Sequence, residues 1–140
     1  MSPFQSLRDY EQFVYTLPQQ FPSIVSSTLT VIRRGKYLAE ATGELFFPVE
    51  IRLIVYERLT WDTGVIVIEG YSYEVWRGSE KLYWYDSQPH PDDTALAATD
   101  PHHKHIPPNI KHHRVTAPGL SLAQPNLPLL IEEINQMYAK

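Results

Sequence analysis

The chain opens with the hydrophobic period of a helix, turns to that of strands, and closes on a helix again. Leu7, Tyr10, Val14 and Leu17 recur at helical spacing. Ser6 stands where a capping residue would, with Asp9 three residues on as the reciprocal partner of a capping box. Pro18 ends the run, which predicts a helix over 6–17. From Thr28 to Asp86 the period is two: Leu29 and Val31 alternate with Thr30 and Ile32. Arg34-Gly35-Lys36 turns the chain into 37–47, where Gly43 is a candidate bulge. Val49, Ile51, Leu53 and Val55 form one strand face, with Glu50, Arg52 and Arg58 opposite. Asp62-Thr63-Gly64 leads into a strand whose Val65, Val67, Tyr71, Tyr73 and Val75 share a face, and Arg77-Gly78-Ser79 turns it into 81–86. Connections this short call for an antiparallel meander, because parallel strands need long crossovers.

Periodicity stops at Ser87. From there to Asn126 there is no Phe, Tyr or Trp, while proline stands at positions 89, 91, 101, 107, 108, 118 and 125. Connections beyond about 12–15 residues are uncommon and usually functional or disordered. Ordering one costs on the order of 1–2 kcal/mol per residue in backbone entropy. Within this loop, 92–98 could wind into a helical turn or two, and 110–115 could add an edge strand. Asn126 then caps a helix over 127–138, whose Leu127, Leu130, Ile131, Ile134, Met137 and Tyr138 make an apolar stripe. The expected fold is α+β in a single domain, 1–140. It has an antiparallel sheet over 28–86, both terminal helices packed on one face, and a His/Pro-rich functional loop over 87–126.

Composition excludes several classes. At 140 residues with 43% hydrophobic content, the chain can bury a core. Without cysteine it has no disulfide, thiolate zinc site or cysteine nucleophile. No apolar run approaches a membrane span and no secretory pattern opens the chain, so a cytoplasmic protein is expected. The net charge of −4 argues against general nucleic-acid binding. It is unevenly spread: the charged residues of 86–100 are Asp86, Asp92, Asp93 and Asp100, and those of 101–114 are Lys104, Lys111 and Arg114. On the outer sheet face, Ile54, Tyr56, Ile66, Ile68 and Trp76 are apolar enough to predict a homo-oligomer.

All six histidines fall in the long loop: His90, His102, His103, His105, His112 and His113. Imidazole titrates nearest neutral pH and is the commonest metal ligand. Two histidines with Lys104, Lys111 or Arg114 would supply the base, acid and cation that RNA cleavage needs. Each positioned proton-transfer group contributes about 10²–10⁴-fold. Zinc is the competing reading, with His103, His105, His112 and His113 as ligands, although the spacing matches no helical HExxH pattern. The third reading is a non-catalytic binding or structural module. Alternation in an extended segment sends His103 and His105 to one side and His102 to the other, which makes the first two the catalytic pair and His102 structural. Asp86, closing the last strand, could orient an imidazole. Tyr71, Tyr73, Trp76, Tyr83, Trp84 and Tyr85 could stack on bases, although packing explains most of them; Tyr83 and Tyr85 are the pair nearest the loop.

Tyr71-Ser72-Tyr73, Tyr85-Asp86, Pro89-His90 and Pro101-His102-His103-Lys104-His105, in that order, resemble the TumE-like family of small bacterial toxins. The resemblance spans roughly 37–137, and its specific part is the PHHKH string. Here Pro91 follows His90 where the family tends to have a second histidine. The resemblance implies a toxin paired with a helix-turn-helix antitoxin. The density of histidines flanked by bases, without cysteine or an acidic cluster suited to magnesium, puts His102, His103, Lys104 and His105 at the active centre with Asp86 and His90 in support. RNA as the target, metal-independent ribonuclease chemistry without a cofactor, and substrate contacts from Lys111, Arg114, Tyr83 and Tyr85 are inferences from residue type.

Overall fold

Ser6 Oγ accepts a hydrogen bond from the Asp9 N–H at 3.2 Å and starts helix α1, Leu7–Tyr15. Pro18 does not stop helical structure, because it falls in the first turn of a second, four-residue helix α2, Leu17–Gln20, where its missing N–H is harmless. The computed structural model describes residues 5–62, 64–87, 103–105, 114–116, 120–121 and 125–138, with 103–105 and 114–116 given by their backbone. Among the described residues eight strands follow α2: β1 Ser26–Ser27, β2 Thr30–Gly35, β3 Leu38–Phe46, β4 Ile51–Thr60, β5 Val67–Arg77, β6 Glu80–Asp86, β7 His103–His105 and β8 Arg114–Thr116. Helix α3, Leu127–Tyr138, ends the described chain.

The strands form one antiparallel sheet in which β3 to β8 are neighbours in chain order, while β1 and β2 both pair with β3. The expected α+β meander with terminal helices is what forms. Leu45, Leu53, Val55, Tyr73, Val75 and Tyr85 on one sheet face belong to the same buried cluster as Tyr10 and Leu17, and as Leu130, Ile131 and Ile134 of α3. Both helices therefore lie on that face. Tyr15, half-exposed at the end of α1, reaches β2: its hydroxyl accepts the Val31 N–H at 2.8 Å.

Gly43 is no bulge, because it pairs with Val55 in unbroken register. Its role is close approach. A Cβ there would meet the Thr28 carbonyl oxygen at 2.6 Å and the Leu29 Cα at 2.7 Å, and φ is +146°. The missing side chain lets the backbone of 28–29 cross between β1 and β2, which pair with β3 as one interrupted strand.

The bulges lie elsewhere. Arg58 pairs with Gly70 and Leu59 with Ile68, so Glu69 is the extra residue. That insertion puts Ile66 and Ile68 into the core with Tyr71, Tyr73 and Val75, while Val65 lies outside the strand at 38% exposed. The apolar outer face expected to drive self-association therefore loses two of its five residues. In β6 the extra residue is Leu82, between the pairs Trp76–Lys81 and Val75–Tyr83.

Val49 also departs from its expected face. It and Glu50 form the β3–β4 turn at φ +55° and +63°, and Val49 is 58% exposed. Positive φ at both central positions is what a type I′ hairpin requires, yet a β-branched residue there is strained. Replacing Val49 with Asn and Glu50 with Gly should raise the unfolding free energy by about 1–2 kcal/mol in a denaturant titration. Gly43→Ala should lower it by about 2–3 kcal/mol, because the contact is with backbone that has nowhere to move. Gly35→Ala, whose added carbon meets only Leu38 Cβ at 3.7 Å, is the control and should stay within about 1 kcal/mol of the wild type.

Candidate active site

Two three-residue strands interrupt the long loop, and their register decides which candidate residues can meet. In β6 and β7, Asp86 pairs with His103, Tyr85 with Lys104, and Trp84 with His105. In β7 and β8, His103 pairs with Thr116, Lys104 with Val115, and His105 with Arg114. Directly paired residues share a sheet face. Tyr85 belongs to the helix-covered face, so the other two rows, Ser72–Asp86–His103–Thr116 and Glu74–Trp84–His105–Arg114, belong to the opposite face, helix-free among the described residues. Asp86, His103, His105 and Arg114 thus occupy neighbouring register positions on one side of the sheet. Lys104 takes a position on the other side.

Asp86 is held where β6 leaves the sheet. Trp84 Nε1 donates to Asp86 Oδ2 at 3.3 Å. One residue later, Ser87 Oγ accepts the Tyr71 N–H at 2.9 Å, and the Ser87 N–H donates to the Tyr71 carbonyl at 3.3 Å. These bonds extend the β5–β6 ladder to the point where the described chain pauses.

Of the two tyrosines expected beside substrate, Tyr85 is a core residue and Tyr83 is half-buried against the core. Tyr85 is buried, and its hydroxyl donates to the Glu133 carboxylate of α3 at 2.8 Å. The Tyr83 hydroxyl lies 3.6 Å from Met137 Sδ of the same helix. Burial, and then Glu133, pushes both phenols well above their ordinary range, so both stay neutral. Tyr71 and Tyr73 are buried as well, stacked with centroids 4.9 Å apart. Of the six aromatics, only Trp76 and Trp84 stand on the helix-free face. His90, His102, Lys111, His112 and His113 lie outside the described residues, as does the 92–98 segment. Among the described residues, no group of three metal-binding side chains occurs.

A second polar constellation lies inside the core. Glu57 occupies an inward position of β4 between Val55 and Leu59, with no exposed surface. Tyr73 donates its hydroxyl proton to Glu57 Oε2 at 2.5 Å. Asn126 Nδ2 donates to the same hydroxyl at 3.1 Å and to the Ser121 carbonyl at 2.9 Å, while its Oδ1 accepts the Ser121 N–H at 2.8 Å. Asn126 does sit at the start of α3, with its carbonyl accepting the Leu129 and Leu130 N–H groups. Its side chain, however, ties the helix to the sheet and to residue 121 instead of capping the first turn.

The Toxin TumE family model matches residues 14–138, from within α1 to the end of α3. The chain belongs to the TumE toxin family. No curated protein and no solved structure gives a match. Membership makes this protein a toxin and implies an antitoxin partner. Among the described residues, no helix of this TumE-family chain is long and apolar enough to cross a membrane.

Glu57 is the residue that sequence reasoning overlooked in this TumE-family protein. The signal was there: it is the one charged residue in the inward series Ile51, Leu53, Val55, Glu57, Leu59. Burial pushes its carboxyl up to about 7, and the Tyr73 hydrogen bond opposes only part of that. Its Oε1 is buried with no hydrogen-bond partner among the described residues. A proton bound more tightly in the folded than in the unfolded state stabilises the fold at low pH. That contribution is complete below the unfolded carboxylate range near pH 4.5 and is lost as pH rises through about 7. Unfolding free energy should therefore fall across this window by up to a few kcal/mol. Denaturant titrations at pH 5 and pH 8 should show Glu57→Gln flattening the slope. An unchanged slope would mean that Glu57 does not carry it.

Proposed function

We propose that this toxin acts on RNA, cleaving the phosphodiester backbone by metal-independent acid–base catalysis on the helix-free face of β6–β8. The carrying observation is the pairing register, which groups Asp86, His103, His105 and Arg114. One imidazole removes the proton from the ribose 2′-hydroxyl, and the 2′-oxygen attacks phosphorus. The other imidazole protonates the departing 5′-oxygen, leaving a 2′,3′-cyclic phosphate and a 5′-hydroxyl. Residues two apart on a strand are separated by about 6.6 Å, a spacing that lets two imidazoles flank one phosphate.

The cation belongs to Arg114 in this reading. Its register position adjoins His105 on the shared face, whereas Lys104 alternates to the helix side with Tyr85. A guanidinium can also contact two phosphate oxygens at once and stabilise the charge that develops on them. Asp86, across from His103, orients the ring of its partner and supports the imidazolium that forms, and His90 and His102 remain candidates for support. No cofactor takes part. The partner that restrains the toxin is a helix-turn-helix antitoxin, and the site of action is the cytoplasm.

Induced expression without the antitoxin should arrest growth, and co-expression should relieve it. Purified protein in excess EDTA should cleave single-stranded RNA, with the rate following a bell-shaped pH profile as one imidazole must be neutral and the other charged. His103→Ala or His105→Ala should lower the rate by about 10²-fold or more, with little change in melting temperature. Arg114→Ala should reduce it further than Lys104→Ala. Cleavage lost to EDTA and restored by zinc would replace this mechanism with a metal-dependent one through the same histidines. Toxicity without cleavage under either condition would remove RNA as the target.

A further inference from the structure

Trp76 and Trp84 stand half-exposed on the helix-free face, and neither contributes to the core cluster. Each indole is anchored by its N–H to an acid two residues away on its own strand. Trp76 Nε1 donates to Glu74 Oε1 at 2.9 Å, and Trp84 Nε1 to Asp86 Oδ2 at 3.3 Å. Cations alternate with the rings. The Arg52 guanidinium lies 5.1 Å from the Trp76 centroid, and Lys81 Nζ lies 5.9 Å from Trp76 and 3.4 Å from Trp84. The place of Lys81 is a product of the bulge. Strict alternation would put it on the face of Tyr83 and Tyr85, and the extra residue Leu82 turns it to the side of the two indoles.

We infer that the ladder Arg52, Trp76, Lys81, Trp84 is the substrate platform, binding single-stranded RNA with bases stacked on the indoles and phosphates on the cations. The inference rests on RNA being the target. Several observations favour this occupant. Trp84 pairs across from His105, so the ladder runs directly into the row proposed to cleave. Arg52, Trp76 and Lys81 are register partners on β4, β5 and β6, about 4.8 Å from strand to strand. Trp84 stands farther along β6 from Lys81, and the arrangement suits a strand of bases and phosphates crossing the sheet. Anchored indoles need little ordering when a ligand arrives. A duplex, whose bases are already stacked, offers them nothing.

Charge on this face is nearly balanced. Glu44 holds Arg52 at 2.6 Å and Glu74 approaches Lys81 at 3.5 Å. Stacking therefore supplies most of the affinity. An arriving base displaces the ammonium from Trp84, and the freed ammonium meets the neighbouring phosphate. With two phosphates neutralised, the slope of log affinity against log salt should be shallow, about −1.4.

The test uses a short single-stranded 2′-O-methyl oligoribonucleotide, which lacks the nucleophile and cannot be cut. It is titrated into the full chain while tryptophan fluorescence is read. Saturable quenching is expected, and the same sequence as a duplex should bind far more weakly. Trp76→Ala and Trp84→Ala should each weaken binding about 5- to 100-fold. Phe at either position should restore much of the loss and report on folding, and Trp61→Phe should leave the response in place. Equal affinity for duplex and single strand, or Ala variants that bind like the wild type, would overturn the platform. So would Ala variants that lose antitoxin capture while keeping RNA affinity, because the face would then belong to the antitoxin. Cleavage of RNA without a fluorescence response would overturn the platform and leave the proposed activity standing. Binding without cleavage would do the reverse.

Discussion

The pairing of β5 with β4 on one side and β6 on the other decides where almost every chemically active side chain stands. A strand offers two faces, and a single extra residue exchanges them beyond that point. In β5 the extra residue Glu69 turns Ile66 and Ile68 inward, and in β6 the extra residue Leu82 turns Lys81 outward. The first insertion fills the core near the β4–β5 turn. The second assembles the cation–indole row and leaves Tyr83 and Tyr85 beneath α3. Packing on one face and chemistry on the other thus descend from one ladder.

The core is not purely apolar, and its polar part has a positional meaning. Hydrogen bonds run from Glu57 in β4 through Tyr73 in β5 to Asn126 at the start of α3, and on to Ser121. An apolar contact could slide along the sheet, whereas these bonds hold only at one setting. Because α3 also grips β6 through Tyr85 and Glu133, the register of β6 against the helix is set at two points. That register in turn carries Asp86 and, through β7, the histidines.

Long elements were legible in the sequence because each repeats its period several times. α1, α3 and the strands from β2 to β6 all contain enough alternation to be read, and Ser6 was a correct cap. The family resemblance, carried by 71–73, 85–86 and PHHKH, is matched by the Toxin TumE family model over 14–138. What escaped were events of one residue. An inserted Glu69 or Leu82 leaves composition and period unchanged and shows itself only in pairing. Gly43 was correctly marked as exceptional, but the sequence could not say whether a bulge or a crossing chain required it. At the candidate site, alternation grouped His103 with His105, whose register positions share a face, while His102 lies outside the described residues. Alternation should also have set Lys104 apart, which the pairing with Tyr85 makes plain. β7 is three residues, too short for any period to announce it, and β8 overlaps only the end of the edge strand expected over 110–115.

The exposed ring of Tyr15 bears on how such a sheet stays discrete. Its hydroxyl takes the outward-facing amide of Val31 and lies 3.5 Å from the carbonyl of the same residue, filling the two positions a neighbouring strand would use. Farther along β2 the rim carries Arg33 and Arg34, both solvent-facing, and Lys36 follows in the turn. Unprotected rims of this kind recruit other chains and grow into fibres. A phenol borrowed from the first helix, backed by clustered positive charge, ends the sheet at β2 and keeps a molecule rich in β-structure from templating its own aggregation.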